Sequence, residues 1–400
     1  MAHLSLFRSA LILALLSAVG PLAIDLYLPA LPAIQDSLGA AEAGTQATLS
    51  LYFIGFGLAQ LVYGPLADQV GRKPPLYVGL GIFGVASVAC ALAPTVETLA
   101  IARLVQGLGG AAVMVVPRAV IRDLHTGNEA TRLMAMIMLV ISVSPMLAPY
   151  LGSLLLKLGD WRLIFWVLVG ATLVCLVILA TALPETLAPS RRRPVNIRNL
   201  ASGCLHLLTH REFMLLTFVG GFGMASFFVF LASAPFVYTG QFGLSTDEFA
   251  LAFAVNALGF FAASQAAAPL GMRFGAMPVL IRGTMGFAIF ALALLGLSFA
   301  GLASLPVIIA MLFLANACLG LVIPTGMVLA LEEHGEMAGL ASSLGGTLQM
   351  LAGGLMVIAA GPFFDGTARP MIATIAICAV LAFGLALFLK TTSTKLSTSD

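Results

Sequence analysis

The sequence is poor in the charged residues that a water-soluble protein of this size needs on its surface. Only 9% of its 400 residues are charged and 60% are hydrophobic, whereas about 25% charged residues is usual in a soluble domain. The formal net charge is only +2, and no basic tract is interleaved with aromatic residues, which argues against nucleic-acid binding. With a mean hydropathy of +1.06, too little polar surface is left for a soluble globule. The composition therefore predicts a protein that lives in a lipid bilayer.

Motifs that would support catalysis or metal binding are also lacking. The sequence contains no P-loop, no HExxH helix and no G-x-S-x-G turn, which argues against an ATP-driven pump and against a membrane enzyme. The five cysteines show no C-x-x-C spacing, and we interpret them as small apolar side chains. His206 and His210 have i, i+4 spacing but no obvious third ligand. We predict no catalytic residue, no metal site and no cofactor.

Apolar stretches of about 20 residues, the length that crosses a bilayer, fill almost the whole chain. We count twelve, and the one long polar connection divides them into six and six. The sequence thus predicts an all-α membrane protein with an N-terminal six-helix bundle at 1–183, a cytoplasmic linker at 184–211 and a C-terminal six-helix bundle with a short cytoplasmic tail at 212–400.

The positions of the basic residues predict the orientation in the membrane, because basic loops stay on the cytoplasmic side. If both termini are cytoplasmic, three of the 19 Lys and Arg residues (Lys157, Arg162 and Arg369) lie in external loops. Two more, Arg103 and Arg118, lie within a span, and the others are cytoplasmic. We therefore predict cytoplasmic termini. For Arg118, one turn from the cytoplasmic end of span 4, snorkelling to the interface and a role in the cavity both remain open.

An internal repeat relates the two halves. When the chain is shifted by 204 residues, the segment 55–76 aligns with 259–280 and shares eight identities, among them Pro65 with Pro269 and Gly71 with Gly275. This alignment places span 2 on span 8, as duplication of a six-helix unit requires. Two six-helix halves of this kind are a transporter architecture, in which the substrate site is expected at the interface of the halves near the membrane midplane.

The loop after span 2 reads G-P-L-A-D-Q-V-G-R-K-P. It resembles the signature loop of the major facilitator superfamily, G-x-L-a-D-r-x-G-R-[RK], with Gln69 where the family usually has Arg. The resemblance implies a glycine-dependent turn and a charged latch that holds the two halves together on the cytoplasmic side. The predicted latch residues are Gly64, Asp68, Gly71, Arg72 and Lys73.

Two further segments resemble motifs of the same superfamily. Residues 103–110 in span 4 resemble the element R-x-x-q-G-x-g-a-a, and residues 144–153 in span 5 resemble the antiporter motif G-x-x-x-G-P-x-x-G-G. In the latter, Ser144 and Ala148 replace the first two glycines, Pro149 and Gly152 match the pattern, and the predicted motif residues are Pro145, Pro149 and Gly152. In the family this motif marks export by antiport.

Span 1 contains D-L-Y-L-P-A-L-P from Asp25 to Pro32. This stretch is similar to D-x-Y-L-P-A-L-P in the bicyclomycin- and chloramphenicol-resistance branch of drug:proton antiporters. Asp25 is the one acidic residue well inside a predicted span, where an ionised carboxylate costs about 3 kcal/mol. At 1.5 Å rise per residue, Asp25 and Arg103 lie about 25 and 28 Å from the cytoplasmic ends of their spans, which permits pairing.

We hypothesise that Asp25, with Arg103 as its partner, is the proton-coupling carboxylate. Burial favours the neutral carboxylic acid and a neighbouring guanidinium favours the carboxylate, so hydration or substrate arrival could change the protonation state. A static ion pair that aligns two helices is the alternative. An apolar cavity for varied substrates should present aromatic, methionine and amide side chains, and the candidates are Tyr27, Tyr52, Met146, Met224, Phe227, Phe253, Asn256, Phe260, Asn316 and Gln349.

These resemblances imply a proton-coupled multidrug efflux antiporter that works by alternating access and exports small, largely apolar compounds such as phenicols or bicyclomycin-like drugs. Export of an endogenous metabolite (an amino acid, a nucleoside or a siderophore-like compound) by the same cycle is the first alternative, and uptake by symport or uniport is the second. We expect a monomer in a bacterial inner membrane that is energised by the proton gradient. Its partners would be a small molecule, protons and lipid.

Overall fold

The computed structural model describes residues 6–125, 127–192, 194, 196–332 and 334–397. Every regular element in these ranges is a helix, and twelve helical segments are long and apolar enough to cross a membrane. The predicted all-α fold with twelve spanning helices is therefore confirmed. The chain is an integral membrane protein.

The chain divides into two compact units, residues 1–197 and residues 198–400. The division falls within the segment 184–211 that we predicted as a linker. The first unit contains α1 (Leu6–Asp25), α2 (Leu31–Leu38), α3 (Glu42–Val70), α4 (Lys73–Ala91), α5 (Val96–Gly110), α6 (Ala112–Leu124), α7 (Gly127–Leu158) and α8 (Arg162–Thr181). The second begins just after the start of α9 (Ile197–Thr209) and contains α10 (Arg211–Phe236), α11 (Thr246–Phe274), α12 (Ala276–Phe299), α13 (Leu305–Glu332), α14 (Ala338–Ala360) and α15 (Ala368–Ser397).

Small residues allow the helices of the first unit to pack closely around α5, which contacts α3 on one side and α4 on the other. A Cβ atom built on Gly107 of α5 would overlap with the backbone carbonyl oxygen of Tyr52 on α3. A Cβ atom on Gly55 of α3 would likewise overlap with the carbonyl oxygen of Leu104. Because no side chain fits between these backbones, glycine is required for the observed distance between α3 and α5.

The internal repeat is visible in the helices themselves. The helices α3 and α11 each contain 29 residues, and their bounds differ by the 204 residues of the sequence shift. Each is followed by a glycine with positive φ, Gly71 at 105° and Gly275 at 85°. This backbone conformation disfavours residues with a Cβ atom. The same helix and the same sharp turn thus occur once in each unit.

The first predicted span is interrupted immediately after Asp25. The helix α1 ends at this residue, a 3₁₀ turn covers Leu28–Ala30, and α2 then continues to Leu38. Pro29 explains the break, because it has no N–H to donate to the carbonyl of Asp25. The N–H of Tyr27 donates to the carbonyl of Ile24 (3.3 Å), which leaves the carbonyl of Ala23 available to another donor.

Candidate functional site

Asp25 lies at the carboxyl end of α1 with only 4% of its surface exposed. Its Oδ2 accepts a hydrogen bond of 2.9 Å from the hydroxyl of Ser144 on α7. Among the described residues, no cation lies within ion-pair distance of this carboxyl group. The carbonyl groups at the end of a helix carry partial negative charge, so this position also disfavours a carboxylate.

Arg103 of α5 is completely buried between two tyrosine rings. Its guanidinium carbon lies 4.4 Å from the ring centroid of Tyr27 and 4.3 Å from that of Tyr52, with Phe165 at 5.9 Å. The faces of aromatic rings attract a cation, and the attraction is strongest where water is excluded. The rings of Tyr27 and Tyr52 therefore stabilise the positive charge of Arg103.

The hydrogen bonds of Arg103 go to neutral oxygens. Its Nη1 donates to the carbonyl oxygen of Ala23 (3.1 Å) and to Oε1 of Gln106 (2.5 Å). Gln106 in turn donates to the hydroxyl of Ser87 (2.8 Å). Nε and Nη2 have no hydrogen-bond partner among the described residues. A guanidinium that lacks a carboxylate in a buried site is costly, and the rings and oxygens offset part of that cost.

The expected Asp25–Arg103 ion pair is thus not formed in this conformation. Both side chains lie near the same level of the unit, as their depths predicted, because Arg103 reaches the carbonyl of Ala23, two residues before Asp25. Counting residues predicts the depth of a side chain in the membrane, but not the direction in which it points from the helix axis. The carbonyl of Ala23 is available to Arg103 only because span 1 is broken. The coupling role of the two residues stays a prediction.

The hydroxyl groups of the two tyrosines extend this buried network. The hydroxyls of Tyr27 and Thr48 are 2.6 Å apart, and the hydroxyl of Tyr52 donates to the carbonyl of Gly20 (3.2 Å). Sequence reasoning named both tyrosines as substrate candidates and placed Gln106 in a motif, but it gave no contact to Gln106 and did not name Thr48 or Ser87. Gln106 carried a usable signal, since an amide three residues after a buried arginine shares its helix face.

The antiporter-like segment lies on α7, against the break in span 1. A Cβ atom on Gly152 would overlap with the carbonyl oxygen of Leu26 and approach Pro29 to 2.9 Å. Pro145 and Pro149 lie within α7, where each removes a backbone donor. Met146, a substrate candidate, is half-buried on the same helix.

The predicted latch residues form a charged cluster at the end of α3. Arg72 is buried. It donates to Asp68 (2.5 Å) and, through Nε, to Asp123 at the end of α6 (2.7 Å). Burial alone would lower the pKa of Arg72, but the hydrogen bonds with Asp123 and Asp68 outweigh it and raise that pKa. Of the other motif residues, Gly64 is half-buried within α3 and Lys73 begins α4.

Glu185 completes this cluster and was missed by sequence reasoning. Its carboxylate accepts hydrogen bonds from the backbone N–H groups of Arg72 (2.9 Å), Lys73 (3.1 Å) and Leu187 (3.0 Å). It thereby caps the first turn of α4. Burial would raise the pKa of Glu185, but these donors and the charge of Arg192 outweigh it and hold the pKa below its usual value.

The low pKa of Glu185 predicts how its contribution to stability depends on pH. A carboxyl group with a depressed pKa stabilises the fold above the pKa of the unfolded chain, about 4.3, and this contribution is lost as the pH falls through the folded-state value. In detergent, we expect Glu185→Gln to melt about 1–3 °C below wild type near pH 7, since the group is partly exposed. The difference should shrink below about pH 4. Melting curves test this, with Glu332→Gln as control because Glu332 is an exposed glutamate at the end of α13. A difference between Glu185→Gln and wild type that is equal at pH 7 and below pH 4 contradicts the prediction.

Arg118 lies half-buried on α6, and its Nε has no described hydrogen-bond partner. The role of Arg118 stays a prediction.

A third histidine, His334, lies next to the predicted pair His206 and His210. The rings of His210 and His334 are 4.7 Å apart, and sequence reasoning did not predict this contact. Nδ1 of His210 accepts the N–H of Phe213 and caps α10. The described residues contain no group of three His, Cys, Asp or Glu side chains that could hold a metal ion.

The remaining substrate candidates lie in the second unit, where α10, α11, α13 and α14 bring some of them together. Phe227 stacks on Phe260 with ring centroids 5.5 Å apart. Oδ1 of Asn256 and Nδ2 of Asn316 are buried, and neither atom has a hydrogen-bond partner among the described residues. The structure also places Phe253 in a ring stack with Phe230, Gln349 beside a small internal cavity, and Met224 half-buried on α10.

Comparison with known proteins agrees with this architecture. The family model described as Major Facilitator Superfamily matches residues 13–357. The chain is 28% identical to a bicyclomycin resistance protein homolog of Haemophilus influenzae over 98% of both chains. It is 31% identical to a chloramphenicol resistance protein of Pseudomonas aeruginosa, covering 74% of this chain and 69% of that protein. Its fold is similar to that of a D-xylose-proton symporter, with a TM-score of 0.76, 18% identity, and coverage of 96% and 97%. The chain belongs to the major facilitator superfamily, and its relatives place it with the drug-efflux type.

Proposed function

We propose that this transporter is a proton-coupled efflux antiporter that exports small, largely apolar drugs by alternating access. One observation carries the proposal: Asp25, at the break in span 1, is a buried carboxyl group whose described partner is a neutral hydroxyl. A group in this position can bind and release a proton as the site is opened to water and closed again.

Burial explains why the carboxyl group can change its charge during a cycle. An ionised carboxylate without a cation is strongly disfavoured in a buried site, so the closed site favours the carboxylic acid. Water that enters when the site opens stabilises the carboxylate and allows the proton to leave. In our proposal Asp25 takes a proton from external water and releases it to cytoplasmic water. The drug moves outward in the other half of the cycle, after the proton has been released to the cytoplasm and before the next proton is taken up outside.

Arg103 is the proposed second member of the coupling site. Its Nη1 already binds the carbonyl of Ala23, and its Nε and Nη2 atoms have no described partner. A guanidinium with free donors near a carboxyl group favours the carboxylate once the proton has gone. We propose that Arg103 turns from its aromatic neighbours toward Asp25 in that state, and that no cofactor takes part.

The substrate class rests on the named relatives and on the buried candidates. The two relatives are named for resistance to bicyclomycin and chloramphenicol, both small neutral drugs. Aromatic and methionine side chains suit apolar compounds of varied shape. We propose that phenicols or bicyclomycin-like drugs contact Tyr27, Tyr52 and Met146 in the first unit. The proposed contacts in the second unit are Met224, Phe227, Phe253, Asn256, Phe260, Asn316 and Gln349.

The proposed location is a bacterial inner membrane with both termini in the cytoplasm, as the distribution of basic residues indicates. The described part of α9 agrees with an interfacial position, since this helix carries exposed Arg198 and Asn199. The charged cluster around Arg72 would then face the cytoplasm. We propose a monomer as the transporting species.

Transport in inside-out vesicles tests the direction and the energy source. Antiport predicts that labelled chloramphenicol or bicyclomycin accumulates when the lumen is acidic. One pH unit supplies about 1.4 kcal/mol per proton, which supports about tenfold accumulation. Accumulation only when the medium is the acidic side would indicate symport, and equilibration without a gradient effect would indicate uniport. Overexpression that releases a metabolite without changing drug resistance would favour the metabolite exporter.

A further inference from the structure

The contact between Ser144 and Asp25 joins two different spans. The Ser144 hydroxyl belongs to α7 and the Asp25 carboxyl to α1, and their exposed fractions are 8% and 4%. A hydroxyl group can donate a hydrogen bond to a carboxylate and accept one from a carboxylic acid. Ser144 can therefore remain bound to Asp25 in both protonation states, as the donor to the carboxylate and as either donor or acceptor to the acid.

Close packing fixes the distance between these two groups. Gly152, two turns after Ser144 on α7, lies so close to the carbonyl of Leu26 that a Cβ atom would overlap with it. Leu26 is the residue next to Asp25. Because α7 is held against span 1 at this point, the hydroxyl of Ser144 stays within reach of the carboxyl group.

The ionisable side chains around Asp25 come from three elements. Tyr27 follows it in the same span, Tyr52 of α3 has its ring against Arg103, and Arg103 of α5 contacts Ala23. On the other helices packed against α1, ionisable groups lie at other levels. Arg118 of α6 is about 20 Å nearer the cytoplasmic end, Cys175 of α8 contacts the carbonyl of Leu15, and Tyr150 of α7 is half-exposed.

We propose that Ser144 is a positioning residue for proton exchange, which sets the pH at which Asp25 gains and loses its proton. The proposal rests on the proposed role of Asp25 and adds a residue to it. Its hydroxyl stabilises the carboxylate and orients the acid. Where the antiporter motif of the family has glycine, this chain thus has a side chain that acts on the proton site.

Infrared spectroscopy of the purified protein during a pH titration tests the proposal without a known substrate. The carbonyl band of protonated Asp25 is assigned by its loss in Asp25→Asn. In Ser144→Ala we expect the carbonyl band of the acid to lie at higher frequency, because its hydrogen bond to the hydroxyl is lost. As the pH rises, the band should disappear about one pH unit higher than in wild type, because the carboxylate has also lost a hydrogen bond. Ser144→Thr keeps the hydroxyl and should titrate like wild type. If Ser144→Ala is not recovered folded, Ser144→Gly removes the same group.

Ser17→Ala is the matched control, because Ser17 is a buried serine on α1 whose hydroxyl has no described hydrogen-bond partner. It should leave the band and its titration unchanged. The proposal is overturned if Ser144→Ala titrates like wild type, or if Ser144→Thr shifts as much as Ser144→Ala. If Asp25→Asn removes no band that titrates in wild type, the assignment of Asp25 as the proton site fails as well, which separates the two failures.

Discussion

Asp25→Asn is expected to abolish proton-driven drug accumulation in inside-out vesicles while drug binding is retained. The asparagine has nearly the same shape, and its carbonyl oxygen can still accept the hydrogen bond from Ser144. It cannot bind or release a proton, so the gradient no longer does work on the substrate. A pH difference that supports about tenfold accumulation in wild type should therefore give only equilibration in the variant.

Two further measurements make this result specific. Exchange of labelled for unlabelled drug at equal concentrations needs no gradient, and it should persist in Asp25→Asn. Asp36→Asn is the matched control, because Asp36 is an exposed aspartate near the end of the same span. It should accumulate drug like wild type. Undiminished accumulation in Asp25→Asn would show that another group carries the proton, and equal losses in both variants would indicate a general defect of span 1.

The twelve spans were predictable because hydropathy alone determines them. A run of about 20 apolar residues is stable mainly within a bilayer, where its backbone must form a helix. The positions of such runs in the sequence therefore predict both the number and the type of the elements. The first of the twelve spans consists of α1 and α2 taken together, and the glycines at 71 and 275 mark the same turn in both units. The duplication was visible in the sequence for a different reason, because a sharp turn with positive φ tolerates few residues other than glycine.

The partners of the buried charges could not be predicted in the same way. Depth along a helix follows from counting residues, and it correctly placed Arg103 near the level of Asp25. Rotation about the axis depends on how α5 packs, and the tyrosine rings on both sides of Arg103 come from two other elements. The carbonyl of Ala23 is available to Arg103 because, at the break in span 1, the N–H of Tyr27 donates to Ile24 instead.

Glu185 shows a second limit of sequence reasoning. It is far from Arg72 in the chain and follows the sixth span, where a carboxylate is expected to be solvated. Only the fold brings it to the first turn of α4, where it binds two backbone N–H groups. The described linker also contains α9, a helix that was not predicted there. Contacts of this kind depend on the path of the chain between spans, about which hydropathy says nothing.

Gly107→Ala is expected to destabilise the first unit strongly, and it links packing to the site. The added Cβ atom would overlap with the backbone carbonyl oxygen of Tyr52 and come within 2.9 Å of the backbone nitrogen of Phe56. Backbone atoms cannot rotate away as a side chain can, so α3 and α5 must separate. Overpacking of this kind costs about 1–3 kcal/mol, which corresponds to a melting temperature about 2–12 °C lower in detergent.

Gly81→Ala is the matched control, since nothing lies within 4 Å of a Cβ atom built at Gly81 of α4. Alanine is favoured over glycine within a helix by about 0.5–1 kcal/mol, so this variant should melt at or slightly above the wild-type temperature. Equal melting temperatures for the two variants would contradict the packing argument.

Gly107 lies one turn after Arg103, and it contacts the backbone of the same Tyr52 whose ring covers the guanidinium. A separation of α3 from α5 should therefore also uncover Arg103, and transport by any surviving Gly107→Ala protein should fall while that of Gly81→Ala does not.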